Sequence, residues 1–316
     1  MKGLLFIIGC PRSGKTTTQD ILASSGRFAW ISNIQDSYPH FGFISVLNRK
    51  YDIPLFGLKA YSKKRRTDLT APIQGNDFWK NNLPSFEMKR FEEAVPLEER
   101  DPPGLNTGEN LSDKNKERTR KVVRDICKWQ GKEHLLSEYA LWSRMNFLSE
   151  VFSELKFLHV IRDGRAVACD YRKMIKSGIY PEKKEMDWWI EGWPEEWRDE
   201  FQKKYGSMLT FCAFQWKFVI KMIRKDSENI PDESYKEVKY RDIVERPKKT
   251  FSSILDFYGL EFNERIERYL DLKDLKNMNH LWRRELEKSQ KNRLNRILHE
   301  SGYKELLDLS SDDRSK

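Results

Sequence analysis

Cysteine, histidine and long apolar runs are scarce in this sequence. Its 316 residues include four cysteines and five histidines. The cysteines lie far apart and form no C-x-x-C pair, which argues against a zinc site or a disulfide framework and predicts a reducing compartment. No stretch approaches the roughly 18 apolar residues that a transmembrane helix needs. From these absences we expect a cytoplasmic protein without a membrane span.

Positive charge, by contrast, is in excess. The chain contains 58 Lys and Arg against 49 Asp and Glu, a formal net charge of +9 at pH 7. This balance favours anionic ligands such as nucleotides and phosphorylated or sulfated substrates. The basic run Lys63–Arg66 has no aromatic platform or recognised nucleic-acid module beside it, so we predict no nucleic-acid partner.

Short apolar runs alternate with helical segments along the chain. The pattern predicts strands at residues 3–9, 28–32, 156–161 and 235–240. It predicts helices at residues 16–24, 114–129 and 208–224, and from near Pro247 to Gly259. Strands that alternate with helices predict an α/β fold, here a three-layer α/β/α sandwich around a central parallel sheet.

The loop after the first strand has the spacing of a phosphate-binding P-loop. Gly9, Gly14, Lys15 and Thr16 fit G-x-x-x-x-G-K-T, and a strand precedes and a helix follows them, as that motif requires. Backbone N–H groups of residues 11–17 and the helix N-terminus predict an anion site. This literal match favours a kinase or NTPase that uses ATP and Mg²⁺.

The third predicted strand favours a different ligand. An ATP enzyme needs an acidic Mg²⁺ partner at the end of another core strand. The strand "KFLHVI" is instead followed by Arg162 and then Asp163. An arginine in the first position indicates a second anion rather than a metal.

Four segments, in the correct order, resemble those of sulfotransferases that use 3′-phosphoadenosine 5′-phosphosulfate (PAPS). "CPRSGKTTT" resembles their 5′-phosphosulfate loop, with Lys15 where threonine is usual, and "FLHVIRDGRAVACDY" resembles their 3′-phosphate motif. "EVKYRDIVERPKKTFSSILDFYGL" and the tail "LWRRELEKSQKNRLNRI" are similar to two later segments. Within that family, we expect the chain to belong to the bacterial and carbohydrate branch or to the tyrosylprotein-like branch. The resemblance implies a P-loop type fold and in-line transfer of a sulfuryl group to an acceptor hydroxyl, without a metal.

The same resemblance implies roles for individual residues. Arg12 takes the position of the cation that neutralises the bridging oxygen as the sulfuryl group departs, and Lys15 would reinforce it. Arg162 matches the arginine that binds the 3′-phosphate, and Tyr240 matches a tyrosine that contacts the adenine. The residues expected around the 5′-phosphosulfate are Pro11, Arg12, Ser13, Gly14, Lys15, Thr16 and Thr17.

Two positions depart from the family pattern. Asp170 stands where the family has a serine that binds the 3′-phosphate, so it would repel that phosphate unless it turns away or pairs with Arg162 or Arg172. Ser137–Tyr139 stands where relatives carry a lysine or a catalytic histidine. A homologue that binds the nucleotide without transferring a sulfuryl group therefore stays open as an alternative.

Sulfuryl transfer also needs a general base to remove the proton of the acceptor hydroxyl. Asp36, after the second strand, and Glu138 are the candidates by position, and His40 is a weaker third. His159 lies inside a core strand, where a buried structural role is expected.

Two stretches interrupt the regular pattern. Residues of about 58–120 and 178–205 are charged and rich in turn residues, so we expect irregular acceptor-side or lid insertions in a single domain of residues 1–316. The second stretch holds a tryptophan cluster that either contacts a carbohydrate or glycolipid acceptor or anchors the loop. Its members are Trp188, Trp189, Trp193 and Trp197.

Overall fold

The alternation of strands and helices produces one parallel sheet. Its five strands are β1 Gly3–Ile8, β2 Phe28–Trp30, β3 His134–Glu138, β4 Leu155–Ile161 and β5 Tyr235–Lys239. Their order is β2-β3-β1-β4-β5, and every neighbouring pair is parallel. The computed structural model describes residues 1–53, 68–83, 112–138, 145–178, 182–299 and 302–307. Four strands match the predicted ones, and β3 is added to them.

Helices alternate with the strands along the chain, and further helices follow the last strand. In chain order they are α1 Lys15–Ser24, α2 Asn33–Ser37, α3 Asn76–Asn82, α4 Asp113–Gln130, α5 Met145–Val151, α6 Gly164–Lys176, α7 Glu182–Glu191, α8 Glu195–Glu200, α9 Met208–Ser227, α10 Tyr240–Glu245, α11 Pro247–Tyr258, α12 Glu264–Leu272, α13 Trp282–Glu285 and α14 Lys288–Leu298. Segments of 3₁₀-helix cover Gly42–Asp52, Asp232–Ser234 and Lys304–Leu306, and a π-helical turn covers Phe201–Tyr205.

Helices cover both faces of the sheet. All six residues of β1 are buried. Leu4, Phe6 and Ile8 belong to one core with α4, α5, α6, α9 and α14, whereas Leu5 and Ile7 belong to the other with α1, α10, α11 and α12. A parallel sheet covered on both faces requires such continuous apolar runs. The three-layer α/β/α sandwich is therefore confirmed.

The two stretches predicted to be irregular have different outcomes. Of residues 58–120, only 68–83 and 112–120 lie within the described residues, and these hold α3 and the start of α4. Residues 182–205 differ from the expected loop, because they form α7, α8 and the π-helical turn.

Two tryptophans of that second stretch are buried in the core. Trp189 is 0% exposed and Trp193 is 2% exposed. The Trp193 ring lies 5.5 Å from the ring of Phe211 and 5.4 Å from that of Phe214, both on α9. These two side chains therefore anchor the segment, whereas the side chain of Trp188 lies outside the described residues.

The described part of the chain has no helix that is both long and apolar enough to cross a membrane.

Candidate active site

A cleft of about 630 Å³ lies at the carboxyl edge of the sheet, where the loops after β1 and β4 meet. Ligands of open parallel sheets bind at this edge. The predicted residues that line it are Pro11, Arg12, Gly14, Lys15, Thr16, Thr17, Glu138, Arg162, Asp170 and Tyr240. The structure therefore brings together positions that lie far apart in the sequence.

The loop of residues 9–17, which we call the phosphosulfate loop, has an unusual backbone. Gly9 has a φ of 139° and Gly14 a φ of 101°, and Arg12, at 67°, is the only described non-glycine residue with a positive φ. Such a conformation is strained for a residue with a side chain and often marks a functional site. The loop leads directly into α1, whose first turn has no acidic residue and no side-chain cap. The amide groups at this helix N-terminus are thus available to an anion.

Lys15 is held inside this loop. Its Nζ donates to the carbonyl oxygens of Gly9, at 2.9 Å, and Cys10, at 2.8 Å. Burial lowers the pKa of Lys15 below its ordinary value, and the nearby Glu138 carboxylate opposes this shift. The ammonium group therefore closes the loop on its own backbone.

Ser13 gives the loop a buried polar atom that a ligand can satisfy. Its side chain is 1% exposed, and its Oγ has no hydrogen-bond partner among the described residues. A buried hydroxyl without a partner is destabilising, so such an atom in a native structure requires an explanation. Together with the uncapped start of α1, it fits a loop that receives the oxygens of a phosphosulfate.

Arg162, the first residue after β4, is hydrogen-bonded to two other segments of the chain. Its Nε donates to Asn279 Oδ1 at 2.8 Å, and its Nη1 donates to the carbonyl oxygen of Arg12 at 2.9 Å. The following Asp163 is engaged elsewhere, because its carboxylate accepts from the backbone N–H of Arg165 and pairs with that side chain at 2.7 Å. Arg162 therefore links the loop after β4, residues 162–163, which we call the second loop, to the phosphosulfate loop, whereas Asp163 caps α6.

Asp170 pairs with Arg162. Its Oδ2 lies 2.8 Å from Arg162 Nη1, and Lys173 is a more distant partner at 3.7 Å. Of the arrangements considered from the sequence, the structure thus shows the pairing with Arg162. A 3′-phosphate at Arg162 would meet this carboxylate, so binding there requires Asp170 to move or a cation to offset its charge.

Tyr240 connects the two loops. Its ring lies against Gly14, where a Cβ atom would come within 2.5 Å of Tyr240 Cδ2. The guanidinium carbon of Arg162 lies 4.8 Å from the centre of the same ring. Glycine at position 14 is therefore required both by its positive φ and by this close approach.

Glu138 is the one of the three candidate bases that lines the cleft. It ends β3 directly beside β1, is 1% exposed, and its Oε1 accepts from Thr16 Oγ1 at 3.0 Å and from Gln74 Nε2 at 3.2 Å. The sequence pattern of β4 indicated no acidic residue at a strand end beside the loop. The structure corrects that interpretation, because β3 ends in one.

The other candidate bases lie elsewhere. Asp36 Oδ1 accepts from the backbone N–H of Phe78 at 2.6 Å, which helps to cap α3, and Asp36 is not among the residues that line the cleft. Burial raises the pKa of Asp36, and the hydrogen bond from Phe78 opposes this.

The two histidines considered from the sequence also lie outside the cleft. His40 Nδ1 lies 3.0 Å from Arg118 Nη2. His159 is fully buried in β4, with its Nδ1 2.7 Å from the Tyr235 hydroxyl oxygen, as expected for a structural histidine.

Five residues that line the cleft were not predicted from the sequence, and three of them, Met174, Met278 and Leu281, are apolar. Gln74 and Lys173 line the cleft, and Asn279 orients Arg162. Lys173 lies one helical turn after Asp170, so helix periodicity would have found it. Gln74 and Asn279 come from segments without a recognisable motif. Across the described residues, no three His, Cys, Asp or Glu side chains form a group that could hold a metal ion.

Sulfotransferases are among the solved structures that this chain resembles. Sulfotransferase STF9 from Mycobacterium avium superimposes with a TM-score of 0.55 at 13% identity, over 98% of this chain and 77% of that one. STF1 from Mycobacterium tuberculosis H37Rv gives a TM-score of 0.49 at 12% identity, over 93% and 76%. Retinol dehydratase in complex with retinol and PAP gives 0.42 at 12% identity, over 97% and 82%. The first likeness supports the fold alone.

The sequence comparison identifies the family. No curated protein sequence gives a significant match. The model of the family described as "Sulfotransferase family" matches residues 5–264, which is most of the chain. This match confirms the family and the enzyme class expected from the four motifs, a sulfotransferase. The chain belongs to the Sulfotransferase family.

Proposed function

We propose that the cleft is the PAPS site and that Glu138 is the general base of sulfuryl transfer to an acceptor hydroxyl. The observation that carries this proposal is the contact between the two cationic loops, in which Arg162 donates to the carbonyl oxygen of Arg12 at 2.9 Å. This contact supports the proposal, because the residues expected at the 5′ and 3′ ends of one nucleotide meet in one cleft.

The chain's own residues supply binding and charge. The amide groups at the start of α1 and the Ser13 hydroxyl bind the 5′ end, and Arg162 binds the 3′-phosphate, for which a guanidinium fork is well suited. Bound there, PAPS supplies a sulfuryl group that leaves the bridging oxygen of the 5′-phosphate for the acceptor oxygen. Arg12 neutralises the charge that develops on that bridging oxygen.

Glu138 takes the proton of the acceptor hydroxyl. Its carboxylate lines the cleft beside Thr16, whereas Asp36 is used in capping α3. Gln74 beside it is a hydrogen-bonding group that suits a polyhydroxy acceptor. We therefore propose a carbohydrate or glycolipid hydroxyl as the acceptor class.

The matched variants Glu138→Gln and Asp36→Asn test the assignment of the base. Both remove a charge and keep the shape of the side chain. In Glu138→Gln, we expect transfer of label from ³⁵S-PAPS to a carbohydrate acceptor to fall by about 100-fold or more, with affinity for 3′-phosphoadenosine 5′-phosphate (PAP) retained. Asp36→Asn should keep most of its activity. Loss of transfer in Asp36→Asn alone would instead assign the base to Asp36.

One observation favours the alternative ligand, ATP with Mg²⁺. Thr16 occupies the metal-binding position of a P-loop and is hydrogen-bonded to Glu138, the acidic residue at the end of a neighbouring strand. Calorimetric titration separates the two ligands. We expect PAP to bind in EDTA and ATP-Mg²⁺ to bind at least tenfold more weakly; binding of ATP-Mg²⁺ alone would overturn the assignment to PAPS. Binding of PAP without transfer to any acceptor would indicate the inactive homologue.

A further inference from the structure

The 3₁₀ segment Gly42–Asp52 has an inverted pattern of burial. Side chains three residues apart in a 3₁₀-helix lie on the same face. The face that is buried in this segment consists of glycine and polar residues rather than aliphatic ones. Its members are Gly42, Ser45, Asn48 and Tyr51.

Specific contacts fix this orientation. Ser45 Oγ lies 3.2 Å from the carbonyl oxygen of Ile126, and Asn48 Nδ2 donates to that of Trp30 at 3.2 Å. A Cβ atom at Gly42 would come within 2.7 Å of Asp125 Cβ on α4. The segment is therefore held by its polar face and cannot turn its apolar face inward.

The outward face is strongly apolar. Of the eleven large hydrophobic side chains that are exposed among the described residues, six fall within residues 38–53. They are Tyr38, Phe41, Phe43, Val46, Leu47 and Ile53. Single exposed apolar residues are ordinary, but a concentration of this kind marks an interaction site. We call these six residues the 38–53 surface.

Positive charge accompanies this surface. Arg49 is exposed within the segment, and Arg118 of α4 reaches its start through His40 at 3.0 Å. In sequence, residues 54–66 continue from Ile53 with five Lys and Arg and no acidic residue. Apolar side chains beside the exposed Arg49 and Arg118 fit the interface of a membrane that contains anionic lipids. A second copy of this chain fits less well, because it would bring two basic surfaces together.

We propose that the 38–53 surface binds this enzyme to anionic membranes, with Phe41, Phe43 and Leu47 entering the interface and Arg49 at the lipid phosphates. The surface begins directly after α2, which follows β2 at the carboxyl edge of the sheet where the cleft lies. If the acceptor is a glycolipid, as proposed above, membrane binding at this surface would bring the enzyme to its acceptor; binding to lipid itself does not depend on that proposed function.

Vesicle co-sedimentation of the full chain tests the proposal. We expect binding to vesicles of phosphatidylcholine with phosphatidylglycerol, at least tenfold weaker binding to phosphatidylcholine alone, and weakening by added salt. The double variant Phe43→Ser with Leu47→Ser should bind at least tenfold more weakly. Its matched control, Leu272→Ser, changes a side chain that is 70% exposed on α12 and should bind like wild type. Affinity for PAP should be equal in all three proteins, which shows that each is folded.

Three results would overturn the proposal. Wild type that stays in the supernatant, or a double variant that binds as well as wild type, would each do so. The third is a wild-type dimer, seen by light scattering, that the double variant converts to a monomer while vesicles bind neither protein. That result would assign the surface to self-association.

Discussion

The two loops that form the cleft hold their cations in different ways. In the phosphosulfate loop, Lys15 is stabilised by backbone dipoles, because its ammonium donates to two carbonyl oxygens of the same loop. In the second loop, Arg162 is neutralised by a full negative charge, the carboxylate of Asp170 at 2.8 Å. The first arrangement leaves an anion site intact. The second makes the 3′-phosphate compete with a side chain for its arginine.

This difference shows that a motif places a residue without fixing its electrostatics. Arg162 occupies the sequence position that the family resemblance implies, yet its guanidinium forms an ion pair with Asp170 of α6. We therefore expect the phosphosulfate loop to dominate catalysis, and the Arg162–Asp170 pair to tune nucleotide affinity.

The largest expected effect is the loss of transfer rate when Arg12 of the phosphosulfate loop is replaced. Arg12→Ala should lower the rate of transfer by about 100-fold or more, because the bridging oxygen loses its neutralising cation. PAP affinity should change much less. The rate is measured with ³⁵S-PAPS, and Arg172→Ala, which alters an arginine of α6 outside the cleft, is the control. Wild-type turnover in Arg12→Ala would contradict the role given to this residue.

Arg162→Lys tests whether Arg162 of the second loop binds the 3′-phosphate. A lysine keeps the charge but loses the forked donor geometry, so PAP affinity should fall by about tenfold or more. Affinity for adenosine 5′-phosphosulfate, which lacks the 3′-phosphate, should stay unchanged in the same calorimetric series. Equal losses for both ligands would show that Arg162 supports the whole cleft rather than the 3′-phosphate.

Asp170→Ser should raise the affinity for PAP, whereas Arg162→Lys lowers it. Removing the competing carboxylate restores the family's serine, and PAP affinity should rise by about tenfold, or ~1.4 kcal/mol. Asp170→Asn, which removes only the charge, is the matched control, and adenosine 5′-phosphosulfate should bind as before. Weaker binding of PAP would mean that Asp170 orients Arg162 for the phosphate.

The smallest effect concerns pH and Lys15. Because burial lowers the pKa of Lys15, the unfolded chain holds more protons than the folded one between that lowered pKa and the ordinary value of 10.5. The stability contributed at this site should therefore rise with pH through that window. Lys15→Met should lack this rise when its urea unfolding is compared with that of wild type across the alkaline range. Parallel curves for the two proteins would contradict the assigned desolvation.

Much of the fold could be predicted from the sequence, because apolar runs mark strands whose two faces are both buried. The loop around Gly14 and the position of Arg162 came from local motifs. β3 was missed because its apolar run is broken by polar residues, with His134 and Glu138 at its ends. The helices of residues 182–205 were missed because the segment is charged and interrupted by Gly192 and Pro194, although Trp189 and Trp193 are buried in the core.

The site was less predictable than the fold. The contact between Thr16 and Glu138 joins residues 122 positions apart, and Gln74 reaches the same carboxylate from a segment without a motif. Asp170 pairs with Arg162 rather than with Arg172 because of how α6 lies beside the end of β4. Such contacts are set by tertiary packing, which spacing along the chain does not encode.

A crystal structure of the chain with PAP tests the central claim most directly. The account predicts the 5′-phosphate at the amide groups of the phosphosulfate loop and the 3′-phosphate within hydrogen-bond distance, about 3 Å, of the Arg162 guanidinium, with Asp170 turned away. PAP bound outside this cleft, or bound with the Arg162–Asp170 pair unchanged and the 3′-phosphate in contact with neither loop, would contradict it.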